Sequence, residues 1–187
     1  IVAGNQLLDS LVGGAVSGAS AATAAASVGF GSPDAVRAEL SAAGEKVAHL
    51  LHGADEGALT RAAGAFQLAS VMSEFMGHER DAASLEAAAA RISEISAGGL
   101  QLSDSNPVMN TELVEVLRLE GLLKLSAAAV ASALHRAESR GSHQRSDHPE
   151  RDDADHLQHT LVDASGNVSD SSVNQGSGDD WLLAPSE

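Results

Sequence analysis

The sequence predicts a mostly α fold. The expected form is a bundle of three main helices, preceded by a long apolar helix buried within a larger protein and followed by an irregular C-terminal tail. Three observations carry this expectation. Ala, Gly and Leu dominate while aromatics make up only 2%. That composition suits helices packed through small residues and not a β-sandwich, which needs Val, Ile, Thr and aromatic side chains. There is no cysteine, so no disulfide frame, thiolate metal site or iron–sulfur cluster can be built from these residues. Helix stop and start signals also recur along the chain, each pairing a Gly-rich break with a capping residue.

The first helix is expected from Asn5 to about Ser27, ending at Gly29-Phe30-Gly31-Ser32-Pro33. From Leu7 to Val28 it is apolar or small, with Asp9 its only charge. Its length approaches a membrane span, but Ala, Gly and Ser supply most of it, which favours a helix covered by neighbouring protein. Gly14 and Gly18 mark a close backbone approach. Ser32 can N-cap a second helix with Pro33 at its first position, carrying Val36, Leu40, Val47, Leu50 and Leu51 on one face and ending at His52-Gly53. A third helix is expected over roughly Glu56 to Met76, with Leu59, Ala63, Phe66, Ser70, Phe75 and Met76 at helical spacing. Gly77-His78-Glu79-Arg80 breaks it. A fourth helix runs from Asp81 to Ser96 and stops at Gly98-Gly99. After a loop containing Asn106-Pro107, Asn110 or Thr111 caps the longest helix. This one reaches about Ser139 with Leu113, Leu117, Leu123, Val130 and Leu134 as core candidates, and Gly141 is its natural stop. Past Leu161, Asp163 to Asn167 reads as a turn that can join two short strands. The Ser/Gly/Asp-rich remainder reads as loose, with Trp181-Leu182-Leu183 a candidate to dock on a surface.

The net charge of −15, from 11 basic and 26 acidic side chains, argues against a nucleic-acid surface. The most informative stretch is Glu138 to Leu161, where arginines, histidines and aspartates nearly alternate. Burying so many charges unpaired would cost several kcal/mol each, on the order expected for uncompensated ions, so the stretch cannot be core; it reads as an ion-pair network, with a direct role in binding or proton movement as the alternative. His156-x-x-His159 has the spacing of a helical metal pair. Without cysteine and among basic residues it does not argue for a metal, and none is expected.

This stretch resembles a signature near the C-terminus of succinate dehydrogenase and fumarate reductase flavoprotein subunits: Glu-Ser-Arg-Gly-Ala-His-x-Arg-x-Asp, then Arg-Asp-Asp and Leu-x-His-Thr-Leu. The matching residues are Glu138, Ser139, Arg140, Gly141, His143, Arg145, Asp147, Arg151, Asp152, Asp153, Leu157, His159, Thr160 and Leu161. A second stretch, Ala3-Gly4-Asn5-Gln6-Leu7-Leu8-Asp9 with Leu11-Val12 and Gly14, is similar to the family's Arg-Leu-Gly-Gly-Asn-Ser-Leu-Leu-Asp-x-x-Val-Phe-Gly. There the resemblance implies a helix whose N-terminus points at the flavin, so Asn5, Gln6 and Leu7 are the candidate cofactor contacts. Helix N–H groups and the positive dipole end suit the negative charge of a reduced flavin, which backbone donors can stabilise with Gln6 in place of Ser. The family's substrate-holding Arg falls on Ile1, which cannot clamp a carboxylate, and no catalytic residue is assigned.

The resemblance divides the chain into the end of a flavin-binding domain (1–31), a C-terminal helical domain (32–162) and a tail (163–187). It implies an FAD-dependent oxidoreductase interconverting succinate and fumarate. Its partners would be an iron–sulfur subunit and membrane-anchor subunits, with the enzyme cytoplasmic and peripheral on the inner face of the cell membrane. A C4-dicarboxylate is the implied substrate. No G-x-G-x-x-G follows a strand here, so FAD is not held by these residues alone. The chain reads as the C-terminal piece of such an enzyme, inactive by itself. Arg140, His143, Arg145, Arg151 and Asp152 are expected to act structurally, pinning the long helix to the flavin domain. Two alternatives are L-aspartate oxidase, which usually lacks the Arg-Asp-Asp…His-Thr continuation found from Arg151 to Thr160, and a non-catalytic helical interaction module.

Overall fold

The computed structural model describes residues 6–29, 31–53 and 56–173. The chain divides into two units, Ile1–Lys46 and Val47–Glu187, and the division falls within the second helix.

The first unit is built from α1 (Gln6–Ser27) and most of α2 (Pro33–His52). Val36 donates to the Ser32 carbonyl at 3.1 Å, which starts α2 with Pro33 in its first turn as expected. Every described side chain of α1 is exposed, Leu7 by 77%. On α2, Val36 and Leu40 are also exposed, and Leu50 alone is buried, within the second unit. Among the described residues no helix is long and apolar enough to cross a membrane.

The second unit is a three-helix bundle of α3 (Arg61–Phe75), α4 (Ala82–Ala97) and α5 (Thr111–His135). Each has a side-chain N-cap. Thr60 accepts from Ala63 N at 3.3 Å and Asn110 from Leu113 N at 2.9 Å. Asp81 and Ser84 form a reciprocal capping box, with bonds of 2.7 and 3.0 Å. The core joins Leu68 and Val71 of α3, Leu85, Ala88, Ile92 and Ile95 of α4, and Val116, Leu119, Leu123, Val130 and Ala133 of α5. Leu50 and Leu100 cap it. Packing is tight at Gly64, where a Cβ would lie 2.9 Å from a Leu100 methyl and 3.1 Å from a Leu119 methyl.

Short strands tie the connections together. β1 (Leu59–Thr60) pairs in parallel with β3 (Leu100–Gln101), and β2 (Glu79–Arg80) with β4 (Gln144–Arg145). β5 (Gln158–Val162) and β6 (Val168–Ser172) form an antiparallel hairpin in the register His159↔Ser171. Its turn is the expected one: the Asp163 carboxylate accepts from the N–H groups of Ser165 and Asn167 and from the Asn167 amide.

Several expected boundaries move. The third helix starts at Arg61 and not Glu56, because Leu59 and Thr60 are taken by the β1–β3 ladder and Thr60 is the cap. Phe66, expected on its buried face, is 74% exposed, and the face in the core is Gly64, Leu68 and Val71. The longest helix ends at His135 and not Ser139, since Arg136 leaves helical geometry to bond the β5 strand. Leu134 faces outward. Gly141 is not a helix stop; its φ of +58° serves the tight turn bridged between Arg140 and His143.

Candidate functional site

The charged segment folds back on the end of α5 and puts two linked ion-pair clusters there. The first grows from Arg136, Glu138 and Arg140. These alternate in the sequence, so on extended backbone they reach the same side. Glu138 is fully inaccessible to solvent. Arg140 holds it with a two-pronged fork, Nε at 3.0 Å and Nη2 at 2.9 Å, and the Asp152 N–H adds a bond of 3.0 Å. Arg136 also donates to Glu138. From there Arg136 reaches the Gln158 carbonyl at 2.8 Å and Thr160 Oγ1 at 3.2 Å, which anchors the β5 strand to the helix end. Arg140 continues to Asp153 at 2.5 Å, and Arg151 meets the other oxygen of Asp153 at 2.5 Å. Among the described residues no arginine pairs with the Asp152 carboxylate, which caps a turn by accepting from the N–H groups of Ala154 and Asp155.

The second cluster centres on Arg145, only 3% exposed. Its Nε and Nη2 grip Asp147 at 2.7 Å each, while Nη1 donates to the Ala133 carbonyl at 3.1 Å in the last turn of α5. Asp147 in turn accepts from Ala82 N, at the start of α4, at 3.0 Å. A cation thus sits at the C-terminus of one helix and its carboxylate partner at the N-terminus of the next, which is the favourable sense for both dipoles. Ser139 accepts from Arg145 N at 2.9 Å and donates to the His148 carbonyl at 2.8 Å. The His143 ring pairs through Nε2 with the Arg136 carbonyl at 3.0 Å, which requires a proton on that nitrogen.

The electrostatics match a clamp more than a proton relay. Burial alone would raise the Glu138 carboxyl, but the bonds from Arg140, the Asp152 N–H and Arg136 outweigh it and hold the pKa at about 2. The Arg145 fork keeps Asp147 well below the usual carboxylate range, and Arg140 does the same for Asp153. Burial lowers the His143 pKa, helped by the nearby Arg80, Arg145 and Arg136 charges and opposed by its bond to the Arg136 carbonyl. All three carboxylates are therefore ionised at neutral pH, and the imidazole is disposed to stay neutral.

Of the residues singled out from sequence, Arg140, His143, Arg145, Arg151 and Asp152 are brought together here. Ile1 and Asn5 lie outside the described residues. Gln6 and Leu7 open α1 in the first unit. The candidate dock Trp181-Leu182-Leu183 also lies outside them. Sequence reasoning passed over Arg136, although the Arg136-x-Glu138-x-Arg140 alternation was its signal. It also passed over His135, whose Nε2 is 2.8 Å from Asp170 and joins the end of α5 to β6. His156 and His159 do not share a helix face, because one precedes β5 and the other lies in it. Among the described residues no group of three or more potential metal ligands converges.

The model of the family described as fumarate reductase flavoprotein C-term matches residues 66–176, more than half of the chain. The flavoprotein subunit of the 8-methylmenaquinol:fumarate reductase of Wolinella succinogenes is 34% identical over 175 residues, covering 88% of this chain and 27% of that subunit. The fumarate reductase flavoprotein subunit of Haemophilus influenzae is 38% identical over 98 residues, or 51% of this chain and 16% of the relative. Among solved structures, the quinol fumarate reductase flavoprotein FrdA of E. coli superposes with a TM-score of 0.73 at 26% identity, over 87% of this chain and 28% of that one. The chain thus spans only about a quarter or less of the length of these relatives. Most of its helical bundle and the charged clamp at the end of α5 lie within the matched region, and the chain belongs to the C-terminal family of fumarate reductase and succinate dehydrogenase flavoproteins.

Proposed function

We propose that these residues are the C-terminal, helical part of an FAD-dependent oxidoreductase. It interconverts succinate and fumarate and exchanges electrons with an iron–sulfur subunit, held at the membrane by anchor subunits. The observation that carries the reading is the buried Glu138 with its three donors, inside the segment that matches the family. In this reading residues 1–31 complete a flavin-binding domain and residues 32–162 form the helical domain.

The fit to FAD rests on α1. The helix has 22 residues and its first turn, from Gln6, carries N–H groups with no acceptor inside the helix. Such an end suits the electron-rich side of a reduced flavin, so Asn5, Gln6 and Leu7 would hold that edge of the group. When bound, FAD supplies two-electron chemistry to and from the dicarboxylate. Ile1 offers no fork for a carboxylate, so the C4-dicarboxylate is held by residues beyond these. The clamp's part is to keep the bundle rigid against the flavin-bearing domain. It takes no proton in the reaction, since its carboxylates stay ionised across working pH.

L-aspartate oxidase is the nearest competing reading. It is disfavoured by Arg151-Asp152-Asp153, which here is tied into the clamp through Asp153. The deciding experiment is to purify the full gene product containing this chain with its co-purifying subunits. Bound flavin, fumarate-dependent oxidation of a reduced viologen and succinate-dependent dye reduction are then measured, with L-aspartate as the rival substrate. Flavin with turnover of either C4-dicarboxylate is the expected result. Aspartate oxidation alone would move the protein to the oxidase branch, and absence of flavin would make it a non-catalytic helical module.

A further inference from the structure

The end of α5 and the β5 strand enclose a cleft of about 360 Å³. Ser132 and Arg136 line it from the helix end, Arg140 from the connection that follows, and His156, His159 and Thr160 from β5 and its approach. Clefts that take small molecules fall in the range of roughly 300–1,000 Å³. Among the described residues no Asp or Glu lines it, although the chain carries 26 acidic side chains against 11 basic ones. Glu138, the carboxylate that both arginines share, is fully buried and takes no part in the lining. A concave surface lined by one sign of charge focuses its field on the space it encloses.

The donors around the cleft are partly spent and partly free. Both Nη atoms of Arg136 are occupied, one by Glu138 and the His156 carbonyl, the other by the Gln158 carbonyl and Thr160 Oγ1. This residue supplies charge and a fixed wall. Arg140 commits Nε and Nη2 to Glu138, Asp153 and the Asp152 carbonyl. Its Nη1 has no acceptor among the described residues, and the side chain is 30% exposed. The Ser132 hydroxyl and the His159 ring also have no partner among the described residues. His156 has its Nδ1 shielded and without a partner, which leaves Nε2 to meet a ligand. Unspent donors from α5, the connection after it and β5 thus surround one space. A buried carboxylate already holds the Arg140 guanidinium in place, so little freedom is lost when it binds again. Free N–H groups of a guanidinium, with a hydroxyl and imidazoles beside them, suit a group that offers several charged oxygens.

We propose that the cleft between the end of α5 and β5 binds a small oxyanion, a phosphate or a carboxylate, independently of the reaction proposed above. Arg140 Nη1, Ser132 and His159 are its donors. The bound anion bridges the helix end to the strand, so the firmness of the clamp depends on anion concentration.

Amide hydrogen exchange in the full gene product, with its co-purifying subunits, tests this. Inorganic phosphate and succinate are titrated separately at constant ionic strength, with chloride as the balancing anion. The amides of β5 and those of Ser139 and Arg140 are followed. An anion that binds only the closed cleft slows their opening by 1 + [L]/Kd, so at ten times its dissociation constant exchange should slow about elevenfold. His159→Glu and, separately, Ser132→Asp place a carboxylate on either wall without removing a clamp contact. In chloride each variant should exchange within about twofold of the native rate, as surface substitutions do, and each should lose the protection that the anion gives. Saturable protection by phosphate, by succinate or by both supports the site, and the anion that saturates it names the class. No saturable protection with either anion would overturn the proposal. So would protection that both variants retain, because the anion would then act from elsewhere, the dicarboxylate site of the proposed enzyme included.

Discussion

Replacing Glu138 with Gln keeps the size and shape of the side chain and removes its charge. In the native chain this carboxylate has no contact with solvent and is held by Arg140, Arg136 and the Asp152 N–H. Its pKa of about 2 lies below the ordinary 4.5. At 1.36 kcal/mol per unit, the native environment favours the ionised form by about 3 kcal/mol. Because the folded pKa is depressed, that contribution is present in full above pH 4.5 and fades as pH falls toward 2. An amide also turns donor hydrogens toward two guanidinium groups, so the neutral isostere recovers little. Glu138→Gln should therefore lower the local stability of the segment by about 3 kcal/mol at neutral pH, roughly a hundredfold in opening equilibrium.

Amide hydrogen exchange in the full-length protein reads this locally. Suitable probes are the N–H groups of Ser139 and Arg140, bonded to the Glu150 and His143 carbonyls and not to Glu138 itself. Their exchange should speed up on Glu138→Gln at pH 7, and the gap to the native protein should close between pH 4.5 and 2. Unchanged protection would refute the clamp. A loss that persists undiminished at pH 2 would show that packing, not charge, carries the effect.

Four further outcomes follow from the same structure. Arg140→Ala strips the fork from Glu138 and should cost about 2–4 kcal/mol, above the ~0–1 of an exposed pair; denaturation of the assembled complex should show it while turnover of surviving molecules is kept. His143 has a folded pKa below its ordinary 6.5, chiefly through burial, so the unfolded chain takes up the proton first and stability should decline as pH drops below that value; a His143→Gln variant should lack this decline in thermal scans run across pH 5–8, a window set around that 6.5. Asn110→Ala removes the α5 cap and two further bonds to the Asp104 and Asn106 carbonyls, for an expected loss of about 1–2 kcal/mol visible as a lower melting temperature. The isolated 187-residue chain should be helical by circular dichroism, retain no flavin absorbance after gel filtration, and bind a hydrophobic dye through Leu7, Leu8, Leu11 and Val12, all exposed on α1; flavin absorbance that survives gel filtration would contradict the first expectation, and a dye-free, sharply melting monomer the expectation that α1 is made to be covered.

Sequence showed where helices begin more clearly than which side they bury. Ser32-Pro33, Asp81 and the Asn110-Thr111 pair mark their helix starts to within a residue, because helix-start signals lie among close neighbours in the sequence. Phe66 was misplaced because α3 is Ala-rich, so its apolar residues form no single stripe, and Gly64 faces the core by virtue of its smallness. The two-residue strands β1 to β4 were illegible: each pairs with a partner dozens of positions away and carries no alternation of its own. The end of α5 was overrun for a related reason. From Arg136 onward the sequence still favours a helix, and the chain leaves it only because the guanidinium finds the carbonyls of Gln158 and His156.

The charged segment makes the same distinction at the level of the site. Its composition announced an ion-pair network, but not that the network closes on itself. Arg140, Arg145 and Arg151 find their carboxylates within this chain, at Glu138, Asp147 and Asp153, so no partner domain is needed to neutralise them. Within this chain the ties run between α5, α4 and β5. A pair whose partners lie two residues apart, as the buried Arg145 and the more exposed Asp147 do, costs little chain entropy to form beyond the turn that already holds it. Binding the carboxylate again to Ala82 N then converts a local turn into a tie between two helices. That double use explains why so many charges can sit at the end of a bundle without opposing it. It also locates the segment's importance in the geometry it enforces on α4 and α5.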